Sequence, residues 1–462
     1  MNLSSGTRVL NHAMRKFLLL VSVIAVSATL PARSQEKIAI VNATVIDGTD
    51  HPPRRNVTVV IEGSKIRSII DSKQPLPSGI RKIDASGKFL IPGLWNNDLH
   101  GSYEDGKAHF PDLLSAGITT IRDMGAPLDD IVRLRGATAS GALIGPRVFI
   151  AGPLMEGPTP IQMGLIVDLF SETQARDEVK TLKQHGVDYV EVDTTLTPEL
   201  YWVIADEAKL QGLPLVGHIP AKISAWDMPK AKQVDVEHLG GRFFNVLVAC
   251  SSDEDYFTKQ LGSIYDGVFA ALREKKQIVE PQFKADFDQR LLATFDKQKA
   301  EKLFRLYASN GVAQTPTLLV LKTLWDTNKE QNRLDDRDME VGKLVFAKDL
   351  EIVSAMKTSG VTILAGTDGP YMQGGNALHS ELKLLTDAGL TPLQALQAAS
   401  RDAARAVGVA DEVGTIEADK TADIVLLDAN PLDDITNTTK IDAVVLHGRF
   451  FSKQELATLK NQ

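Results

Sequence analysis

The chain has 462 residues, 43% hydrophobic and 24% charged, with one cysteine and nine histidines. That length excludes a small stapled module, and a lone Cys250 excludes an internal disulfide and a thiolate zinc finger. A net charge of −8 speaks against nucleic acid or anionic lipid as a general partner, and with a single cysteine a metal, if bound, must be held mainly by His, Asp and Glu.

Residues 1–34 carry no acidic residue and four basic ones, Arg8, Arg15, Lys16 and Arg33. The apolar run Phe17 to Val26 follows Met14-Arg15-Lys16, and Ala32-Arg33-Ser34 offers small residues before a cleavage point. This is the order of a secretory signal, and the run is short for a membrane span. The expectation is a signal peptide over 1–34, a periplasmic or secreted product and no membrane anchor in the mature chain.

From 35 to 93 the pattern is short strands. Lys37 to Ile46 ends at Asp47-Gly48, and Val57 to Ile61 and Lys65 to Ile70 flank the turn Glu62-Gly63-Ser64. A further strand is expected from Ile83 to Leu90, with Gly87 at a turn. From 94 to 407 strand, loop and helix alternate. Strands are expected up to His100 and over Thr119–Arg122, Val148–Ala151, Tyr189–Asp193, Leu215–His218, Val234–His238, Ala313–Thr317 and Val361–Asp368. Helices are expected over Ser171–Gln184, Thr197–Gln211, Ala300–Asn310 and Val341–Ser359. Eight such units predict an α/β fold of the (β/α)8 TIM-barrel type. A doubly wound open sheet is the alternative, weakened because no Gly-rich phosphate loop follows a strand. Residues 408–462 return to strands, at Thr421–Leu427 and Ala443–His447. The two ends are therefore expected to pair into one small β-sandwich domain.

In such a barrel the reactive groups sit at the C-terminal ends of strands. Asp98 and His100 stand at i and i+2, on one face of a strand. Glu191 lies between Val190 and Val192, His218 ends Leu215-Val216-Gly217-His218, His238 follows Glu237, and Asp368 ends Ala365-Gly366-Thr367-Asp368. Each alone reads as a polar strand end. Six of them on five strands would converge in a barrel.

These residues carry a resemblance. The segments Ile91-Pro92-Gly93-Leu94-Trp95, Glu237-His238, Gly366-Thr367-Asp368, Ala388-Gly389-Leu390-Thr391-Pro392 and Ala422-Asp423 resemble the amidohydrolase superfamily, in its imidazolonepropionase-like and prolidase-like group, over about 37–450. The resemblance implies a metal-dependent barrel with a β-sandwich built from both chain ends. It implies metal ligation by His100, His218, His238 and Asp368, with Asp368 as acid/base. Two positions depart from the pattern. Asp98 stands where a His is usual, and Glu191 where a carboxylated Lys is usual. Both replacements are carboxylates, so the expected set is Asp98, His100, Glu191, His218, His238 and Asp368, holding one or two divalent ions. Zinc is the default, and the added oxygen moves preference toward manganese or iron. Three acidic ligands in place of two neutralise more of the metal charge and acidify bound water less.

The implied activity is hydrolysis of an amide bond in a short peptide or cyclic amide. The rival reading is a non-catalytic barrel that binds a ligand or partner at a degenerate metal site. Tyr103, His109 and His379 are candidates to line the substrate mouth, and Arg122-Asp123 reads as a structural pair. No nucleic-acid partner is expected, and a homo-oligomer is left open.

Overall fold

The computed structural model describes residues 37–157, 164–240, 245–273, 285–330 and 335–460. The expected leader lies outside them.

Both chain ends enter one eight-stranded sheet. Across it run Arg449–Ser452, Ile441–Leu446, Ile424–Leu427, Phe89–Pro92, Lys37–Val45, Arg54–Glu62 and Lys65–Asp71, with Arg81–Asp84 also paired to Lys37–Val45. The seam between the ends is antiparallel, with Leu90 opposite Leu426 and Ile91 opposite Val425. Alternate residues face a separate apolar core that includes Ile38, Ile40, Val59, Ile61, Leu90, Ile424 and Val445. The expected strand over Ile83–Leu90 is two strands, because Gly87 turns the chain at φ +75° between them. The sequence reading missed the last strand, Arg449–Ser452, and the helix Lys453–Leu459, which starts at a Ser452/Glu455 capping box.

Parallel segments fill the middle of the chain, each hydrogen-bonded to the next. Leu94–Leu99 pairs with Ile118–Asp123, and that strand with Arg147–Ile150. The Asp188 amide donates to Ile150 O at 2.8 Å. Val190–Val192 pairs with Leu215–Gly217, and the Val234 amide donates to Leu215 O at 2.8 Å. Asp235–Glu237 pairs with Ala313–Thr315, Gln314 bridges to Ile363, and the Asn97 amide donates to Ala365 O at 2.9 Å. The last segment thus returns to the first. Leu94–Leu99 and Ile118–Asp123 are buried at every residue, as strands covered on both faces must be.

The expected strand over Val361–Asp368 is reduced to a single bridge at Ile363. At Gly366 a Cβ would fall 2.7 Å from Asp98 Cβ and 2.6 Å from Thr315 Cγ2, so the chain crosses its neighbours there too closely for any side chain. Two of the expected helices start on the caps visible in the sequence: Ser171 caps Glu172–Gln184, and Thr197 caps Pro198–Gln211. Two start earlier than expected. Asp296 caps Lys297–Asn310, and an Asp335/Asp338 capping box opens Asp336–Thr358 inside a charged run that hid it.

Candidate metal centre

The parallel segments deliver their polar residues to one end. In Leu94–Leu99 the two-residue period puts Asn96 and Asp98 on one face, and His100 follows on that face. Asn96 donates to Thr367 Oγ1 at 2.9 Å, and the Thr367 and Asp368 amides donate to Asp98 O, which docks the Asp368 loop on the first strand. His100 Nε2 lies 3.2 Å from Asp368 Oδ1 and 3.6 Å from Asp98 Oδ1. His238 Nε2 lies 3.6 Å from Asp368 Oδ2 and 3.7 Å from Asp98 Oδ2. Each aspartate therefore reaches both imidazoles, one oxygen to each. The His218 and His238 rings meet edge to face with centroids 4.8 Å apart.

Four non-glycine residues of this region hold left-handed backbone: His238 at φ 48°, Leu239 at φ 53°, Thr317 at φ 45° and Asp368 at φ 43°. Such conformations cost about 1–3 kcal/mol each and persist where surrounding structure imposes them. Here they turn strand ends so that ligand-type side chains converge.

The three histidines share one further feature. Protein oxygens hold Nδ1 of each: Gly125 O at 3.4 Å for His100, Asp193 Oδ1 and Thr194 Oγ1, both at 2.6 Å, for His218, and Thr317 Oγ1 at 2.5 Å for His238. Anchoring Nδ1 is how proteins aim the other ring nitrogen at a metal.

The carboxylates are buried and under-satisfied. Both oxygens of Asp98, Oε2 of Glu191 and Oε1 of Glu237 lack a hydrogen-bond partner. Burial, then Glu237 and Asp368, raises Asp98 well above the usual carboxylate range. Burial, then Glu237 and Asp98, does the same to Glu191, and burial with Asp235 lifts Glu237 to about 7. Asp368 moves the other way, because His238 and the His100 hydrogen bond outweigh its burial. Burial opposes a charge on His100, but Asp368 and Asp98 raise it to about 10. A proton on His100 and a cation beside it are alternatives, since metal ligation needs the neutral ring. Orphaned oxygens beside anchored imidazoles are a donor set that fits a divalent cation. The Asp368 side chain is 30% exposed, so the centre is reached from solvent on its side.

Among the described residues two groups have ligand atoms within 4.8 Å of one another: Asp98, His238 and Asp368, and His218, Glu237 and His238. Five of the six expected ligand residues are thus in these groups or in direct contact with them. Glu191 is buried beside them and joins neither group. The sequence reading missed Glu237. Neighbours in a straight strand face opposite ways, and only the turn at His238 brings both to one side.

Below this layer the charges are paired. Arg122 Nη1 donates to Asp235 Oδ2 at 2.8 Å, and Thr315 Oγ1 donates to the same oxygen at 2.8 Å. Arg122 therefore serves Asp235 across the interior. Asp123, the next residue, faces away and accepts from the Tyr371 hydroxyl, so Arg122-Asp123 is not the structural pair expected. A cavity of about 370 Å³, lined by Arg122, Tyr189, Asp235, Asp402 and Arg405 among others, opens at the N-terminal ends of the strands, opposite the His/Asp cluster.

The expected mouth residues are engaged elsewhere. Arg133 lies over the Tyr103 ring at 3.6 Å. His109 is half-buried on the helix Tyr103–Ser115, where it acts on Asp105 and Asp112. His379 is buried, with Nδ1 2.9 Å from Thr438 Oγ1 of the C-terminal segment, and burial lowers it to about 4.

With this geometry in view, residues 74–244 and 274–451 match the Amidohydrolase family. The chain belongs to that family and is a hydrolase of amide carbon–nitrogen bonds. It is 23% identical over 449 residues to ochratoxinase from Aspergillus niger, covering 88% of this chain and 84% of that one. A Xaa-Pro dipeptidase crystallised with methionine in its active site superposes with a TM-score of 0.66 at 18% identity, over 90% of this chain and 100% of that one. Bottromycin amidohydrolase superposes with a TM-score of 0.68 at 18% identity, over 91% and 88%. These structures share the fold.

Proposed function

We propose that this chain is an exported, metal-dependent amidohydrolase that cleaves a short peptide or cyclic amide. In this reading residues 94–407 form a (β/α)8 barrel, with 35–93 and 408–462 as the flanking β-domain. The observation that carries it is the set of orphaned buried carboxylate oxygens facing histidines whose Nδ1 atoms are anchored. The Xaa-Pro dipeptidase is by name an enzyme of dipeptides and the bottromycin enzyme an amidohydrolase, which supports the substrate class.

Asp98, His100, His218, His238 and Asp368 would hold the cation, with Glu191 adding buried negative charge. A divalent ion there supplies Lewis acidity and lowers the pKa of water. Asp368 would take a proton from the water that adds to the amide carbonyl carbon, because its carboxylate is the solvent-accessible one at the centre. It would return the proton to the leaving amine nitrogen as the carbon–nitrogen bond breaks. Asp98 accepts no protein hydrogen bond and stays available to the cation. Zinc is the default ion, and the oxygen-rich set also suits manganese or iron. The rival reading of a degenerate binding barrel predicts no turnover. The test is to purify the protein, measure bound metal, and assay dipeptides and cyclic amides. Bound metal with turnover that Asp368→Asn abolishes supports the reading; metal-free protein without turnover overturns it.

A further inference from the structure

Thr317 stands just before the helix Leu318–Glu330, and its carbonyl accepts from the Val320 amide at 3.0 Å and the Leu321 amide at 3.3 Å. It therefore occupies the cap position. At that position in their own helices, Ser171 and Thr197 hold extended backbone and turn their side-chain oxygens onto the first amides. Thr317 instead holds φ 45°, and its hydroxyl leaves the helix. The hydroxyl donates to Pro316 O at 2.9 Å and lies 2.5 Å from His238 Nδ1. A hydroxyl has one proton to give. With that proton on Pro316 O, Thr317 Oγ1 accepts from His238 Nδ1–H. His238 is then the tautomer whose Nε2 is unprotonated, and Nε2 is the atom facing Asp368 and Asp98, at 3.6 Å and 3.7 Å.

The diverted hydroxyl leaves the first amides of Leu318–Glu330 without their usual acceptor. Water does not replace it, because Thr317 and Leu318 are fully buried. Glu381 supplies the acceptors from another helix, Asn376–Asp387. Its Oε1 accepts from the Leu318 amide at 2.9 Å, and its Oε2 from the Leu319 amide at 2.7 Å. Glu381 is itself fully buried, so both oxygens are committed to this helix end. Without them, the nearest side-chain oxygen able to turn back onto those amides is that of Thr317, and turning back would release His238.

We propose that Glu381 is a positioning residue of the metal centre: by capping Leu318–Glu330 from outside, it frees the Thr317 hydroxyl to fix the tautomer and direction of His238. The inference rests on the metal-dependent reading for its consequence at the cation, and deepens it by tracing one ligand's orientation to a residue on a different helix.

The test reads the imidazole directly. The full protein is produced with isotope-labelled histidine, stripped of metal and followed by nuclear magnetic resonance, with the His238 signals assigned by their loss in His238→Gln. The parent is expected to show His238 as the Nδ1–H tautomer, with that proton shifted downfield and slow to exchange. Thr317→Val and Glu381→Met are each expected to lose both signatures, and Thr317→Ser to keep them. Glu381→Gln retains one acceptor and is expected to fall between. The double variant Thr317→Val/Glu381→Met is expected to exchange no faster than Thr317→Val alone, because both changes act on one bond. Melting curves check folding, and if Glu381→Met does not fold, Glu381→Gln carries the test. Cobalt(II) affinity is the second readout, expected to weaken about 10–100-fold in Thr317→Val and Glu381→Met. An Nε2–H tautomer in the parent overturns the inference. So do Glu381 variants that lower the melting temperature while leaving the His238 signals in place, and so does faster exchange in the double variant. A parent that binds no cobalt while the resonance results hold would sink the metal-dependent reading alone.

Discussion

Two layers of the interior, one above the other along the same strands, handle charge in opposite ways. In the lower layer Arg122 and Thr315 both donate to Asp235 Oδ2, so opposite charges pair there although Asp235 Oδ1 and Arg122 Nε keep no partner. In the upper layer Asp98, Glu191 and Glu237 leave oxygens without partners, and the histidines among them are tethered by Nδ1. A buried carboxylate thus has a hydrogen-bonded cation in one layer and none in the other. The first is held by its ion pair, whereas the second is tolerated where a ligand completes it. The comparison supports the proposal that places the chemistry at the C-terminal ends of the strands, although the cavity of about 370 Å³ lies at the other end.

Variants that strike one layer and spare the other break or sharpen this contrast. The largest effect is on chemistry. Asp368→Asn is expected to lower kcat by about 10²–10⁴-fold, the usual range for a positioned acid/base, with the fold intact by circular dichroism. In the lower layer, Arg122→Met strands Asp235 without its partner. A loss of about 3–5 kcal/mol in denaturant unfolding is expected, as for other broken buried pairs. The upper layer should respond much less. In metal-free protein burial keeps the Asp98 carboxyl protonated, so Asp98→Asn is expected to change stability by less than about 1 kcal/mol, while weakening cation binding. Equal destabilisation by the Arg122 and Asp98 variants would erase the distinction between layers.

A pH-dependent effect comes from Asp288 on the helix Ala285–Ala293. Burial, with Asp338 nearby, raises Asp288 to about 7. A raised carboxyl group favours the protonated folded form. Its contribution to stability is full below its unfolded pKa and is lost as pH rises through about 7. The slope is at most about 1.4 kcal/mol per pH unit. Asp288→Asn should flatten that decline between pH 4 and pH 7 in urea titrations, and an unchanged slope would remove Asp288 as its source.

Much of this organisation was legible in the residues. The i, i+2 spacing of Asp98 and His100 gave their shared face, and strand-end positions gave His218, His238 and Asp368. The pairing of the two chain ends followed from strand-like runs on both sides of the helical middle. The rest depended on geometry that local pattern does not carry. Glu237 was hidden because strand alternation turns it away from His238 until a left-handed backbone at His238 reverses that. Thr194 and Thr317, which hold the imidazoles, come from neighbouring strands or loops distant in sequence. The last strand was missed because Arg449–Ser452 is only four residues long and paired at one side. Arg122 looked paired with its neighbour, and its partner lay 113 residues away.

The central claim is that amide hydrolysis here depends on a cation completing the upper layer. Its most direct measurement is amide turnover by one preparation, first stripped with a chelator and then reloaded with a divalent metal. The account predicts that turnover disappears on stripping and returns on reloading. Turnover that survives complete removal of metal, or none in protein shown to carry its cations across a panel of peptides and cyclic amides, would contradict it.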